Sequence, residues 1–234
     1  MNIKDLEIHR LPGGSLFEYG GIRLASFVEY LQLSAHKDKD VLKHVRETRR
    51  QRKTLVTFHE SFIVHSLARS VRDMEGDLAE VGVYAGGTAK IICGQKGDKH
   101  LHLFDTFEGL PEGSSDKEKK IYPKKGIYDC SLESVQDYLL EFDNVSYYKG
   151  LFPDSAATVD PDLKFCFVNM DVDLYESTRS CLEYFYPRMH PGGIMLSHDY
   201  SLLTSVERAF TEFFADKREN IIELPTTQCM VVKL

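Results

Sequence analysis

The sequence predicts a doubly wound α/β fold: a mostly parallel sheet, covered by helices on both faces, whose last strand is antiparallel. Three observations predict it. From residue 54 onward, short apolar runs alternate with segments of 3.6-residue periodicity, the pattern of parallel strands joined by crossover helices. Residues 165–170 form an apolar run broken only by Asn169, as expected of a strand buried on both faces. The last two strand-like runs, 221–224 and 230–233, are joined through Pro225, Thr226, Thr227 and Gln228. That link is too short for a crossover helix, so the final strand must run antiparallel to its predecessor.

The elements follow in order. Residues 1–53 read as an N-terminal extension, punctuated by Pro12, Gly13, Gly14, Gly20 and Gly21 and partly helical from about Glu29. It ends in a basic cluster, Arg46, Arg49, Arg50, Arg52 and Lys53, which reads as a solvated face; a subunit contact or an active-site cover is the alternative. Residues 54–234 form the main domain. Thr57 and Glu60 fit a capping box opening a helix that turns Phe58, Phe62, Ile63, Leu67 and Val71 inward. Gly76 and Asp77 end it. Strands are expected at 78–83, 100–105, 145–149, 165–170, 194–197, 221–224 and 230–233, which makes the sheet seven-stranded. Helices are expected at 86–93, 131–141, 178–186 and 205–214, with a lysine-rich polar loop at 108–125.

Composition narrows the function classes. The 234 residues are 42% hydrophobic and 28% charged, enough for a sizeable core. With 36 acidic against 29 basic residues the net charge is −7, which argues against a nucleic-acid partner. No two of the five cysteines are spaced as CxxC, so neither a zinc knuckle nor a redox pair is indicated. The odd count and an opening segment without an apolar stretch lead to the expectation of reduced thiols in a cytoplasmic protein. No run approaches the length of a membrane span.

In open α/β sheets, ligands bind beyond the carboxyl ends of the strands. Three such ends carry informative residues. The first is Glu80-Val-Gly82-Val83-Tyr84-Ala-Gly86-Gly87-Thr88, where Gly82 and Gly86 would let a ligand approach the backbone. The spacing is not GxGxxG, so the dinucleotide fingerprint is not met; an ordinary strand–helix turn is the bland alternative. The second is Asp105, placed where a ribose-binding carboxylate belongs, or else capping its own turn. The third joins Asp171, Asp173 and Glu176 with Ser197, His198 and Asp199. Asp171, His198 and Asp199 would converge from neighbouring strand ends as a divalent-metal site. In the alternative, Asp173 or Glu176 caps a helix starting near Ser177, and His198 only packs.

Taken together, the segments beginning at Glu80, at Leu103 (LFDTFEGLP), at Lys149 (KGLFPD) and at Met170 (MDVDLYEST), with Pro191-Gly-Gly, resemble the macrocin O-methyltransferase (TylF/MycF-type) family of class I S-adenosylmethionine-dependent methyltransferases. The resemblance runs from about Thr54 to Phe214. It implies a Rossmann-like sheet and transfer of a methyl group from S-adenosyl-L-methionine to a hydroxyl of a sugar or other natural product, with a divalent ion, generally magnesium. It assigns Glu80, Gly82, Gly86 and Asp105 to the cofactor site; Val83, Tyr84, Thr88, Thr106 and Phe107 belong to the same segments. Asp171 and Asp199 match two of the family's metal-binding acids. His198 departs from the family's paired aspartates, and imidazole suits manganese, iron, cobalt or zinc better than magnesium. Asp171 or His198 would take the hydroxyl's proton.

Rival readings are a non-catalytic S-adenosylmethionine-binding module and a nicotinamide-dependent oxidoreductase, the latter disfavoured by the glycine spacing. His59-Glu60 begins like HExxH, but Ile63 stands where the second histidine would be. No GxSxG elbow occurs, so a serine hydrolase has no nucleophile. His100 and His102 read as structural. The loop 114–125 reads as mobile surface, or as a lid that orders over ligands. The expected partner is a small-molecule hydroxyl acceptor; the extension could also build a homo-oligomer contact.

Overall fold

The computed structural model describes residues 16–122 and 124–234. The early breaks expected at Pro12, Gly13 and Gly14 lie outside the described residues. Helix α1, Leu16–Ser34, runs through Gly20 and Gly21 and so begins well before Glu29. Each glycine costs a helix interior about 1 kcal/mol relative to alanine. Tertiary packing supplies what propensity lacks, since Leu33 joins Leu42, Val45 and Phe58 in a small core. The outer side of α1 is apolar too: Leu24, Phe27, Val28 and Leu31 are exposed.

Helix α2, Lys39–Gln51, starts at Asp38, whose carboxylate accepts from the N–H groups of Asp40 and Val41. The basic cluster at its end is not a solvated face throughout. Arg49 turns inward and donates to Ser26 Oγ (2.7 Å) and Ser61 Oγ (3.2 Å). Arg52 donates to Ser134 Oγ and to the Ser134 carbonyl. These arginines tie α2 to Ser26 of α1 and to Ser61 and Ser134 farther along the chain because buried hydroxyls and carbonyls need donors.

Helix α3, Phe58–Ser70, carries the expected capping box between Thr57 and Glu60. Its buried face differs from expectation. Phe58 and Val71 are buried, but Phe62, Ile63 and Leu67 are only partly so, and Glu60, Ser61 and His65 point inward with Val64 and Ala68. The helix is wedged between α1, α2 and the sheet's ligand edge, so polar positions face polar partners there.

The seven strands lie in the order β3-β2-β1-β4-β5-β7-β6. They are β1 Asp77–Val81, β2 Leu101–Asp105, β3 Val145–Lys149, β4 Phe165–Met170, β5 Met189–Ser197, β6 Ile222–Glu223 and β7 Cys229–Val232. The first five are parallel to one another, and β7 is antiparallel to both β5 and β6. The last strand therefore inserts between β5 and β6 rather than forming the edge. Strand β4 is buried along its whole length, as its apolar run predicts. One core packs α7, Tyr175–Phe185, and α8, Thr204–Phe214, against one face; the other packs α3, α4 (Gly87–Cys93) and α6 (Leu132–Leu139) against the opposite face.

The lysine-rich stretch expected as loop contains a short helix, α5, Asp116–Ile121, capped reciprocally by Ser115 and Glu118. The S-x-x-E spacing signalled it. Glu118 reaches further: its Oε1 accepts from Tyr175 N at 2.8 Å. That contact supplies the first turn of α7, whose N-cap residue, Leu174, makes no side-chain cap bond. Neither Asp173 nor Glu176 caps that helix. No helix among the described residues is long and apolar enough to cross a membrane.

Candidate functional site

The strand order reverses between β1 and β4, and the crevice beyond their carboxyl ends holds most of the predicted site. At the end of β1 the chain turns through Gly82 (φ +85°), Tyr84 (φ +49°) and Gly86 (φ +79°). Gly82 is needed for packing as well. A Cβ there would sit 1.9 Å from the Asp171 carbonyl oxygen, so the glycine admits the chain leaving β4. At Gly86 a Cβ would meet Val135 and Tyr138 of α6.

Asp105, at the end of β2, staples this turn. Its Oδ2 accepts from the N–H groups of Val83 (2.7 Å) and Tyr84 (2.9 Å), and its Oδ1 from Phe107 N (2.7 Å). Thr106 Oγ1 donates to the Gly109 carbonyl, which shapes the loop that follows. Phe107 is held at φ +52° with its ring buried. Glu80 lies below this layer, fully buried, with Oε1 accepting from Asn169 Nδ2 at 2.8 Å and Oε2 left without a hydrogen-bond partner. Burial pushes its carboxyl up to about 8, against the opposing effect of Thr88 and Asn169, with Asp171 and Asp105 adding to the rise.

The third group converges as its spacing suggested. Asp171, just past β4, and His198 and Asp199, just past β5, place one ligand atom each within 4.8 Å of one another. His198 Nδ1 is 3.2 Å from Asp199 Oδ1 and 3.5 Å from Asp171 Oδ1. Its Nε2 is 3.1 Å from Glu60 Oε2. Neither ring nitrogen completes a well-aligned hydrogen bond. Burial favours the neutral ring, but the charges of Asp171, Glu60 and Asp199 outweigh it and hold His198 well above the ordinary histidine range. Asp173 and Asp199 are both held at positive φ, +59° and +57°, a backbone strain that clusters at functional sites.

Glu60 is the residue that sequence reasoning missed. The sequence offers it as the capping-box partner of Thr57 and as half of an absent zinc-protease motif. Its buried carboxylate also accepts from Thr227 Oγ1 at 2.7 Å, 167 residues away. Burial raises its pKa, but His198, Thr227 and the Thr57 N–H more than reverse this, down to about 2. The capping box located its backbone; nothing in the sequence announced that β5 and the β6–β7 loop would close on its side chain.

One cavity of about 430 Å³ joins these parts. Gly82, Val83, Tyr84, Thr88, Asp105 and Thr106 line one portion, and Asp171, Asp173, His198 and Asp199 another. Glu60, Lys53 and Thr57 come from the N-terminal side, Leu110, Pro111 and Tyr128 from the loops around α5, and Thr227 from the terminal hairpin. Glu80, Gly86 and Phe107 do not line it.

The family model described as Macrocin-O-methyltransferase (TylF) matches residues 48–229. The chain belongs to that family. Among curated relatives, the 8-demethyl-8-(2,3-dimethoxy-alpha-L-rhamnosyl)-tetracenomycin-C 4'-O-methyltransferase of Streptomyces olivaceus is 33% identical over 141 residues, covering 54% of each chain. The match spans only 54 to 61% of the length of the curated relatives found. Among solved structures, the O-methyltransferase NovP superposes with a TM-score of 0.69 at 24% identity, covering 77% of this chain and 81% of its own. An O-methyltransferase from Bacillus cereus in complex with SAH gives a TM-score of 0.60 at 14% identity, covering 91% of this chain and 100% of its own. These two likenesses speak to fold: the macrocin-type chain has the Rossmann-like class I sheet, with its last strand inserted antiparallel.

Proposed function

We propose that this macrocin-type chain transfers a methyl group from S-adenosyl-L-methionine to a hydroxyl of a small molecule, a sugar on a natural product, with a divalent cation assisting. The observation that carries the reading is the single cavity in which the β1–α4 turn and Asp105 open onto Asp171, His198 and Asp199. Many carboxylates around that cavity suit a sulfonium donor, which is a cation. The family, and the sugar O-methyltransferase named among its relatives, support the acceptor class.

The residues present fit a divalent cation. Two carboxylates and an imidazole point at one spot, and the buried His198 nitrogens lack well-aligned hydrogen bonds. Asp171, Asp199 and His198 would hold it, a mixed oxygen and nitrogen set that favours manganese or a later transition metal over magnesium. Such an ion supplies Lewis acidity, lowering the pKa of the acceptor hydroxyl. Asp171, the most open of the three with its side chain 29% exposed, is placed to receive the hydroxyl proton. His198, surrounded by three carboxylates, serves as a ligand or a fixed charge rather than as the base. The acceptor oxygen then bonds to the methyl carbon as the carbon–sulfur bond breaks, leaving S-adenosylhomocysteine. The protein's further part is to align the two reactants and exclude water.

The test is turnover of rhamnosyl and related deoxysugar acceptors with S-adenosyl-L-methionine, with and without manganese, read as S-adenosylhomocysteine formed. Metal-stimulated methylation supports the whole reading. Tight S-adenosylhomocysteine binding without turnover of any acceptor favours a non-catalytic binding module.

A further inference from the structure

We infer that Glu60 is a positioning residue that sets the His198 imidazole for cation binding. The inference rests on the metal-assisted reading above. Glu60 sits on the third residue of α3, buried with 2% of its surface exposed, and it faces the site from a different layer than the three candidate ligands. Its two oxygens are already committed. Oε2 meets Thr57 N at 2.7 Å and His198 Nε2 at 3.1 Å; Oε1 meets Thr227 Oγ1 at 2.7 Å and Thr227 N at 3.4 Å. A carboxylate engaged on both oxygens has little capacity left to coordinate an ion, so Glu60 is not itself a ligand.

What it can do is choose the ring's orientation. With Nε2 turned to Glu60, the opposite nitrogen, Nδ1, faces Asp171 and Asp199. A neutral imidazole donates one N–H and offers one lone pair. The carboxylate at Nε2 selects the tautomer protonated there and leaves the Nδ1 lone pair toward the two aspartates. Nδ1 lies 3.2 and 3.5 Å from the two carboxylate oxygens, on the side where a cation would share all three ligand atoms. A carboxylate behind a histidine ligand is the usual device for fixing tautomer and raising ligand basicity. Because Glu60 is also held by Thr57 and Thr227, the same contact makes the ring's position depend on α3 and the β6–β7 hairpin.

The experiment is calorimetric titration of manganese alone into the full chain without methyl donor, for wild type, Glu60→Gln, Thr227→Val and Asp171→Asn, with S-adenosylhomocysteine affinity measured in parallel without metal. Glutamine keeps the capping box, so α3 is retained. Glu60→Gln is expected to weaken manganese binding by about 10–100-fold, with S-adenosylhomocysteine affinity unchanged. Thr227→Val, which removes one anchor of Glu60 and leaves α3 intact, is expected to weaken manganese binding by a smaller factor and provides the reading should the first variant misfold. Manganese affinity unchanged in both, while Asp171→Asn abolishes binding, overturns the inference and leaves the proposed function standing. No manganese binding by the wild type overturns the inference and the metal-assisted reading together, while S-adenosylhomocysteine binding would still support the methyl-donor site.

Discussion

Replacing Glu80 by glutamine should stabilise the protein increasingly as pH rises. Glu80 is fully buried in β1, and its carboxyl is pushed from 4.5 up to about 8. Between those values the folded chain keeps a proton that the unfolded chain releases. The proton is therefore lost on unfolding, and rising pH favours the unfolded state. This contribution to stability is fully present below pH 4.5 and is lost as pH rises through about 8. At 1.36 kcal/mol per unit, the whole interval corresponds to about 5 kcal/mol. Glutamine resembles the protonated carboxyl in shape, can still accept from Asn169 and does not titrate. Urea unfolding of both proteins at pH 5, 6.5 and 8 measures the difference directly. The variant should gain on wild type by several kcal/mol between the first and last pH, of the order calculated from the shift. Parallel stability curves would refute the reasoning and mean that Glu80 is ionised in the fold, with a counter-charge or water reaching Oε2.

Other perturbations test neighbouring parts. Gly82→Ala puts a Cβ 1.9 Å from the Asp171 carbonyl at φ +85°. It should cost about 3 kcal/mol or more in a thermal melt; an unchanged melting temperature would contradict the close β1–β4 approach. Asp171→Asn should lower kcat by about 10²–10⁴-fold with S-adenosylhomocysteine affinity retained, and full turnover would remove Asp171 from the proposed chemistry. Glu118→Ala removes the acceptor for Tyr175 N and for the N–H groups of Ser114 and Ser115. Tryptic cleavage at Lys119 and Lys120 should accelerate and slow again with saturating S-adenosylhomocysteine; an unchanged rate would mean that Glu118 does not hold the segment.

The parts of the fold that were legible are those whose signal is local. The apolar run at β4, the capping box at Thr57 and Glu60 and the short terminal connection each depend on a few neighbouring residues. The start of helix α1 is hidden because Gly20 and Gly21 speak against a helix locally, and only packing of residues such as Leu33 shows otherwise. Helix α5 is masked by its lysine-rich composition although Ser115 and Glu118 carry a capping signal. Arg49 read as solvated because a charge run is usually exposed, yet it serves buried hydroxyls on two other helices.

The candidate site divides the same way. The sequence pattern placed Asp171, His198 and Asp199 at one edge of the sheet, because each follows a parallel strand and parallel strands end on one side; that they meet followed from the class I strand order, in which the two strands are neighbours. Only the tertiary structure decided that Glu60 joins them, that Asp105 holds the turn through backbone N–H groups, and that Gly82 makes room for the chain leaving β4. The physical reason is that strand direction follows from a repeating local pattern, whereas a side chain's partner across layers depends on how helices settle against the sheet. That settling is a sum of many weak contacts far apart in the chain, and no short stretch of residues encodes it.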